Sequence, residues 1–197
     1  MAVAATTIWS DTVIKAFLDI DDSSEDALVD RLGDGITAYI ERKTGRLFVG
    51  RTHTEIRSGH GHRDLVLNHR PVTTFTSLTI LRAPNDATPE TISSDDWRAD
   101  LQSGILHLNQ TVFTRGVANV TATYNAGYGD QDVLANAFDI FEVGLEMVKI
   151  VYDLIRSGGL ASTTVVAGGA SFTANVQWPH HIKDTLAHWK RSDLGSQ

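Results

Sequence analysis

The sequence predicts an α+β chain, and three observations carry the prediction. Apolar residues recur at helical spacing at both ends of the 197 residues, and at every second position between Leu47 and Tyr124. A long uncharged stretch then precedes one last amphipathic segment. With 42% hydrophobic and 21% charged residues, the composition is that of one or two small domains.

Residues 1–9 read as disordered or arm-like, with no basic n-region or apolar h-region of a secretory leader. Ser10 is placed to cap a short helix from Asp11 to about Asp19, with Val13, Phe17 and Leu18 on its dry side. Ser23 opens a stronger helix. Glu25 and Asp26 suit its first turn, Leu28, Leu32, Ile36, Tyr39 and Ile40 form its buried stripe, and Arg42 and Lys43 suit its end. Gly45 is a natural stop. Gly33 and Gly35 each cost about 1 kcal/mol against alanine inside a helix, so they mark either close packing or a local weak point.

Period two then predicts strands near Thr52–Arg57, Asp64–Leu67, Thr76–Leu81, Ile105–Leu108 and Asn119–Tyr124, with turns at Ser58–Gly61 and Ala83–Asp86. Ser103-Gly104 makes Trp97–Leu108 a hairpin. In the last strand Val120, Ala122 and Tyr124 alternate with Thr121 and Thr123, the pattern of a half-buried antiparallel strand.

Gln131–Ser157 reads as a long helix with more apolar surface than one neighbour can cover. Leu134, Phe138, Phe141, Leu145, Val148, Tyr152 and Ile155 form one stripe. Val133, Ala137, Ile140, Met147, Val151 and Leu154, with Gly144, form a second one about 100° around the cylinder. Leaving it wet would forgo roughly 1.5–3 kcal/mol per large side chain. More of this chain, or a neighbouring copy, is therefore expected to cover it.

Ser157–Ile182 contains no Asp, Glu, Lys or Arg, and Gly, Ala, Ser, Thr and Val dominate. It reads as an arm in which Thr163–Val166 and Ser171–Val176 can pair as strands. Trp178-Pro179 opens a last helix with Ile182, Leu186 and Trp189 on one side and Lys190 and Arg191 at its end. Trp178 and Trp189 either complete the chain's own core or anchor this helix in another subunit.

Several function classes drop out. Cysteine is absent, so there are no disulfides or thiolate metal sites, as suits a reducing cytoplasm. No apolar run is long enough to span a membrane. The net charge of −7 and the lack of a basic stripe argue against gripping DNA by its phosphates. No phosphate-loop, dinucleotide, nucleophile-elbow or zincin motif is present, and no cofactor is called for. The metal candidate is His60-x-His62 with His53, His69 or His107, and Asp64 to complete the set. Its competitor is exposed histidines at a hairpin tip. His180, His181 and His188 read as solvated or interface histidines, and Asp95, Asp96 and Asp100 as a polar hairpin end. Spacing supports no nucleophile–base pair, so the chain reads as a non-enzyme; a metal-dependent hydrolase at His60/His62 is the alternative.

The order of features resembles the head–tail connector (adaptor, or head-completion) proteins of tailed phages and phage-like gene transfer particles. The matching pieces begin with Phe17–Ile20, Ser24–Leu28 and Tyr39–Arg46, the last with its Thr-Gly-Arg ending. Next come Leu65–Leu67, Arg70–Val72, Trp97 with Gly104–Leu108, and Val120–Tyr128. Trp178–Leu186 and Trp189–Arg191 complete them. Gln131 departs from the family, which often has proline there, and Gly33 and Gly35 are not typical of it.

The resemblance implies a small α-helical bundle core with an inserted antiparallel β-domain and an extended C-terminal arm ending in a short helix. The boundaries would be residues 1–46, 47–130, 131–157 and 158–197. It implies a homo-oligomeric ring of about twelve copies in the virion, assembled in the host cytoplasm. The ring would sit between the portal protein and a neck stopper or tail protein, with DNA passing through it. Carried over by residue, portal binding falls on Phe172, Trp178, Pro179, Ile182, Leu186, Trp189, Lys190 and Arg191. The ring contact is then expected on the second stripe, at Val133, Ile140, Gly144, Met147 and Leu154. A stopper or tail terminator fits less well, because those proteins are mostly β.

Overall fold

The computed structural model describes residues 7–83, 88–128, 136–157, 165–166, 169–170 and 176–190. The architecture is α+β, in two units. One is helical and comprises residues 1–49 and 129–197; the other is β and comprises residues 50–128.

In the helical unit, α1 spans Asp11–Leu18 and α2 spans Asp26–Thr44. α3 spans Phe138–Arg156 and α4 spans His180–Trp189. α1 follows Ser10, whose carbonyl accepts from Val13 and Ile14, and ends at Asp19 in the left-handed conformation. Ile14 is buried and Leu18, as expected, is half-buried, while Val13 and Phe17 are exposed, so the dry side centres on Ile14 and Leu18. Gly33 explains the choice: a Cβ there would stand 3.0 Å from Ile14 Cδ1, so the missing side chain seats the isoleucine. Close packing is the reading of Gly33 that the structure supports.

α2 begins later than Ser23. Asp22 Oδ1 accepts from both the backbone and the hydroxyl of Ser24, a local turn that competes with helix. Gly45 ends α2 at φ 68°, its N–H donating to Glu41 O. Tyr152 donates to Glu25 at 2.6 Å, and Arg156 pairs with the same carboxylate, tying the end of α3 to the start of α2.

The strands of the β-unit are β1 Arg51–Gly59, β2 Asp64–Val66, β3 Val72–Ile80 and β4 Glu90–Thr91. β5 Trp97–Asp100, β6 Ile105–Leu108 and β7 Gly116–Ala126 complete it. They form two antiparallel sheets, ordered β1-β7-β3-β4 and β2-β6-β5. The inner rows are apolar: Val120, Ala122, Tyr124 and Ala126 of β7, with Leu78 and Ile80 of β3, are buried. Leu65, Leu106, Leu108 and Phe113 are buried too. Phe75 and Trp97 link the sheets, with ring centres 4.5 Å apart.

The outer rows of the first sheet follow from the register. Thr52, Asn125 and Thr74 make one row; Thr54, Thr123 and Ser77 the next; Ile56, Thr121, Thr79 and Thr91 a third. Asn119 is buried where β7 leaves its loop. It accepts from Gly59 N at 2.8 Å and donates to Leu81 O and Thr114 O.

Short strands β8 Val165–Val166 and β9 Gly169–Ala170 pair in the segment between α3 and α4. The second strand expected there lies at 171–176, and the turn expected at Ala83–Asp86 falls mostly at 84–86; both are largely outside the described residues.

Candidate assembly surfaces

The second stripe of α3 does not face outward. Ile140 and Met147 are fully buried, and Gly144 is buried beneath Trp9. A Cβ at Gly144 would clash with the Trp9 indole, carbon against carbon, and stand 3.1 Å from Ile40 Cδ1. Trp9, 2% exposed, donates from Nε1 to Phe141 O at 3.1 Å, and Ile8 N donates to Thr37 Oγ1 at 3.1 Å. Ile8 and Trp9 therefore belong to the core, where residues 1–9 were expected to be an arm. This corrects the ring contact expected at Ile140, Gly144 and Met147: the chain covers these residues itself, with α1, α2 and Trp9. Leu154 is half-buried, and Val133 lies outside the described residues.

α4 also seats on its own unit, packing against α2 and α3. Trp178, Ile182 and Leu186 are buried. Trp178 meets Tyr39 at 5.6 Å between ring centres, and Trp189 meets Phe48 edge-on at 5.7 Å. Polar contacts fasten the rim. Trp189 Nε1 donates to Asp139 at 2.7 Å, Arg46 Nε donates to Trp189 O at 2.9 Å, and His181 Nε2 lies 2.7 Å from Glu146 Oε2. Pro179 and Trp189 are half-buried and Lys190 is exposed; Phe172 and Arg191 lie outside the described residues.

The histidines of the β-unit disperse. His60 and His62 are exposed at the end of β1. His53 stacks on His69 at 4.2 Å, and His107 Nδ1 lies 2.5 Å from Asp64 Oδ1. Among the described residues, no three His, Asp or Glu side chains converge as a metal site requires. Burial, then the neighbouring His69 and Arg51, holds the His53 pKa below its ordinary value, and its Nε2 is buried with no protein partner. Burial pushes the Tyr124 phenol up to about 12, so it stays neutral; its oxygen accepts from His69 N at 3.2 Å. Trp9 and Asn119 are the structural residues that sequence reasoning missed. The signal for Trp9 was a large aromatic beside Ile8 in a stretch otherwise made of small residues.

Charge divides unevenly. The helical unit has ten Lys or Arg against seventeen Asp or Glu, so it carries the whole net charge of −7. The β-unit has seven arginines and no lysine against seven acids. Among the described residues, no helix is long and apolar enough to cross a membrane.

No family model and no curated protein matches the sequence. Solved structures do. A chain of the neck of an empty GTA particle, computed with C6 symmetry, superposes with a TM-score of 0.67 at 16% identity, covering 100% of this chain and 96% of that one. A chain of the virion of the native gene transfer agent particle gives 0.63 at 16% identity, with coverage of 100% and 96%. A chain of the native GTA neck, computed with C12 symmetry, gives 0.61 at 18%, with coverage of 100% and 98%. Over its whole length, this chain has the fold of chains found in the necks and virions of gene transfer agent particles.

Proposed function

We propose that this chain is a structural component of the neck of a tailed-phage-like particle rather than an enzyme. In this reading it is an adaptor: a ring of copies beneath the portal that joins the DNA-filled head to the next neck or tail protein and leaves a channel for DNA. The observation that carries the reading is the full-length match to neck chains, which leaves almost no part of either chain unaccounted for. The acidic chain supports it as well, because DNA slides past a surface that does not bind its phosphates.

Portal binding by the C-terminal helix takes a specific form here. Trp178, Ile182 and Leu186 fill the chain's own seat, so they reach a portal only when α4 leaves it. Lys190 and the open edges of Pro179 and Trp189 are accessible with α4 in place. Truncation at Ser157 is therefore a poor test, because it strips cover from α2 and α3. A better one uses the absence of native cysteine. Glu146→Cys and His181→Cys, bridged by a bis-maleimide, lock α4 down. Locked protein should fold and fail to join heads to tails, whereas normal joined particles would overturn portal docking through the buried face of α4. Imaging of particles carrying a labelled chain tests the adaptor role itself: label beneath the portal is expected, and label in the tail or capsid overturns it.

A further inference from the structure

Burial removes Ile140, Gly144 and Met147 from the contact expected on α3, and the β-unit offers another surface. We propose that the outer face of the β1-β7-β3-β4 sheet is where a second copy of this chain packs, an inference that rests on the ring reading above. Its central residues are Thr54, Ile56, Thr121, Thr123, Ser77 and Thr79, aligned across three strands by the register.

This face is polar yet uncharged. The core of a protein–protein interface is depleted of charged side chains, and all three rows here carry none. Hydroxyls and an amide replace them, and they bond across strands: Thr54 Oγ1 and Thr123 Oγ1 are 3.1 Å apart, and Thr52 donates to Asn125 Oδ1 at 2.6 Å. Such groups are already ordered and cost less to desolvate than ions do. Ile56, 62% exposed, stands among them as an apolar anchor.

Charge selects the occupant. DNA is excluded, because the face has no cation to meet a phosphate. Copies of a chain with net charge −7 repel one another, and all of that excess sits in the helical unit. Neighbouring copies therefore approach at the least electrostatic cost through a neutral unit and an uncharged face. Chains of similar fold occur in necks computed with C6 and C12 symmetry.

The test places a benzophenone maleimide on Ile56→Cys in otherwise cysteine-free chain and illuminates assembled particles. Cross-links to a second copy of this chain are expected. Cross-links to a different particle protein overturn the proposal. Necks that show the ring but yield no cross-link from this position overturn it while leaving the ring reading intact; necks with no ring of this chain overturn both. A second measurement guards against a bulky label. Thr54→Glu with Thr123→Glu should lower the yield of complete necks about tenfold or more. Arg98→Glu, exposed on the other sheet, should leave it unchanged. Equal yields from both variants, each folded by circular dichroism, would also overturn the proposal.

Discussion

The helical unit and the β-unit solve opposite problems. The helical unit has more apolar surface than any single partner covers, and it turns that surface inward: α1, α2, α4 and Trp9 surround α3 until Ile140, Met147, Val148 and Val151 are fully buried. What it shows to water is mostly polar with an acidic excess, and Val13, Phe17 and Phe138 are its exposed large apolar side chains among the described residues. The β-unit buries one face of its main sheet and leaves the other open, with neither net charge on the unit nor ions on that face. Apolar excess in a sequence therefore does not by itself mark an outer surface: Ile140 and Met147 of the second α3 stripe are buried within the chain.

Three perturbations test this contrast, beginning with the largest effect. Gly144→Leu forces a side chain into the Trp9 indole and Ile40, and should cost about 3 kcal/mol of helical-unit stability. Hydrogen exchange on the full chain should show α2 and α3 losing protection while β1 and β7 keep theirs. Equal loss in both would make the two units one cooperative body.

Asn119→Ala is the counterpart in the β-unit. It strands Gly59 N, Leu81 O and Thr114 O at a buried crossing, and should cost about 1–3 kcal/mol, with exchange rising at the ends of β1 and β7. An unchanged melting curve would mean that water replaces the amide without loss.

The smallest effect depends on pH. His53 has a folded pKa below its ordinary value of about 6.5, so the unfolded chain takes up its proton first as pH falls. The stabilisation is complete above about pH 6.5 and is lost downward from there to the folded pKa. His53→Phe should flatten that part of the acid limb of the β-unit's thermal stability. An unchanged limb would assign the loss to other groups.

Much of the fold was legible because local signals and packing agree. Gly45 ends α2 where its left-handed preference places it, and the strands expected at Ile105–Leu108 and Asn119–Tyr124 lie within β6 and β7. The failures have a common cause. Val13/Phe17 and Ile14/Leu18 are both spaced four apart, so period alone cannot choose the buried pair; Gly33, on another helix, does. Likewise, the partner of the second α3 stripe is Trp9, more than a hundred residues away in sequence, in a segment with no period to read. β4 has two residues and pairs only with the end of β3, too little to leave a pattern. At the candidate site, the aromatic anchors of α4 were visible as side chains, but which surface they meet is a tertiary fact.

The absence of lysine from the β-unit has a practical consequence. All five lysines belong to the helical unit. Amine-reactive dyes and cross-linkers therefore report on that unit alone, while arginine-directed reagents and a single introduced thiol address the β-unit. The two units can be followed separately in one intact chain, with no tag added to either.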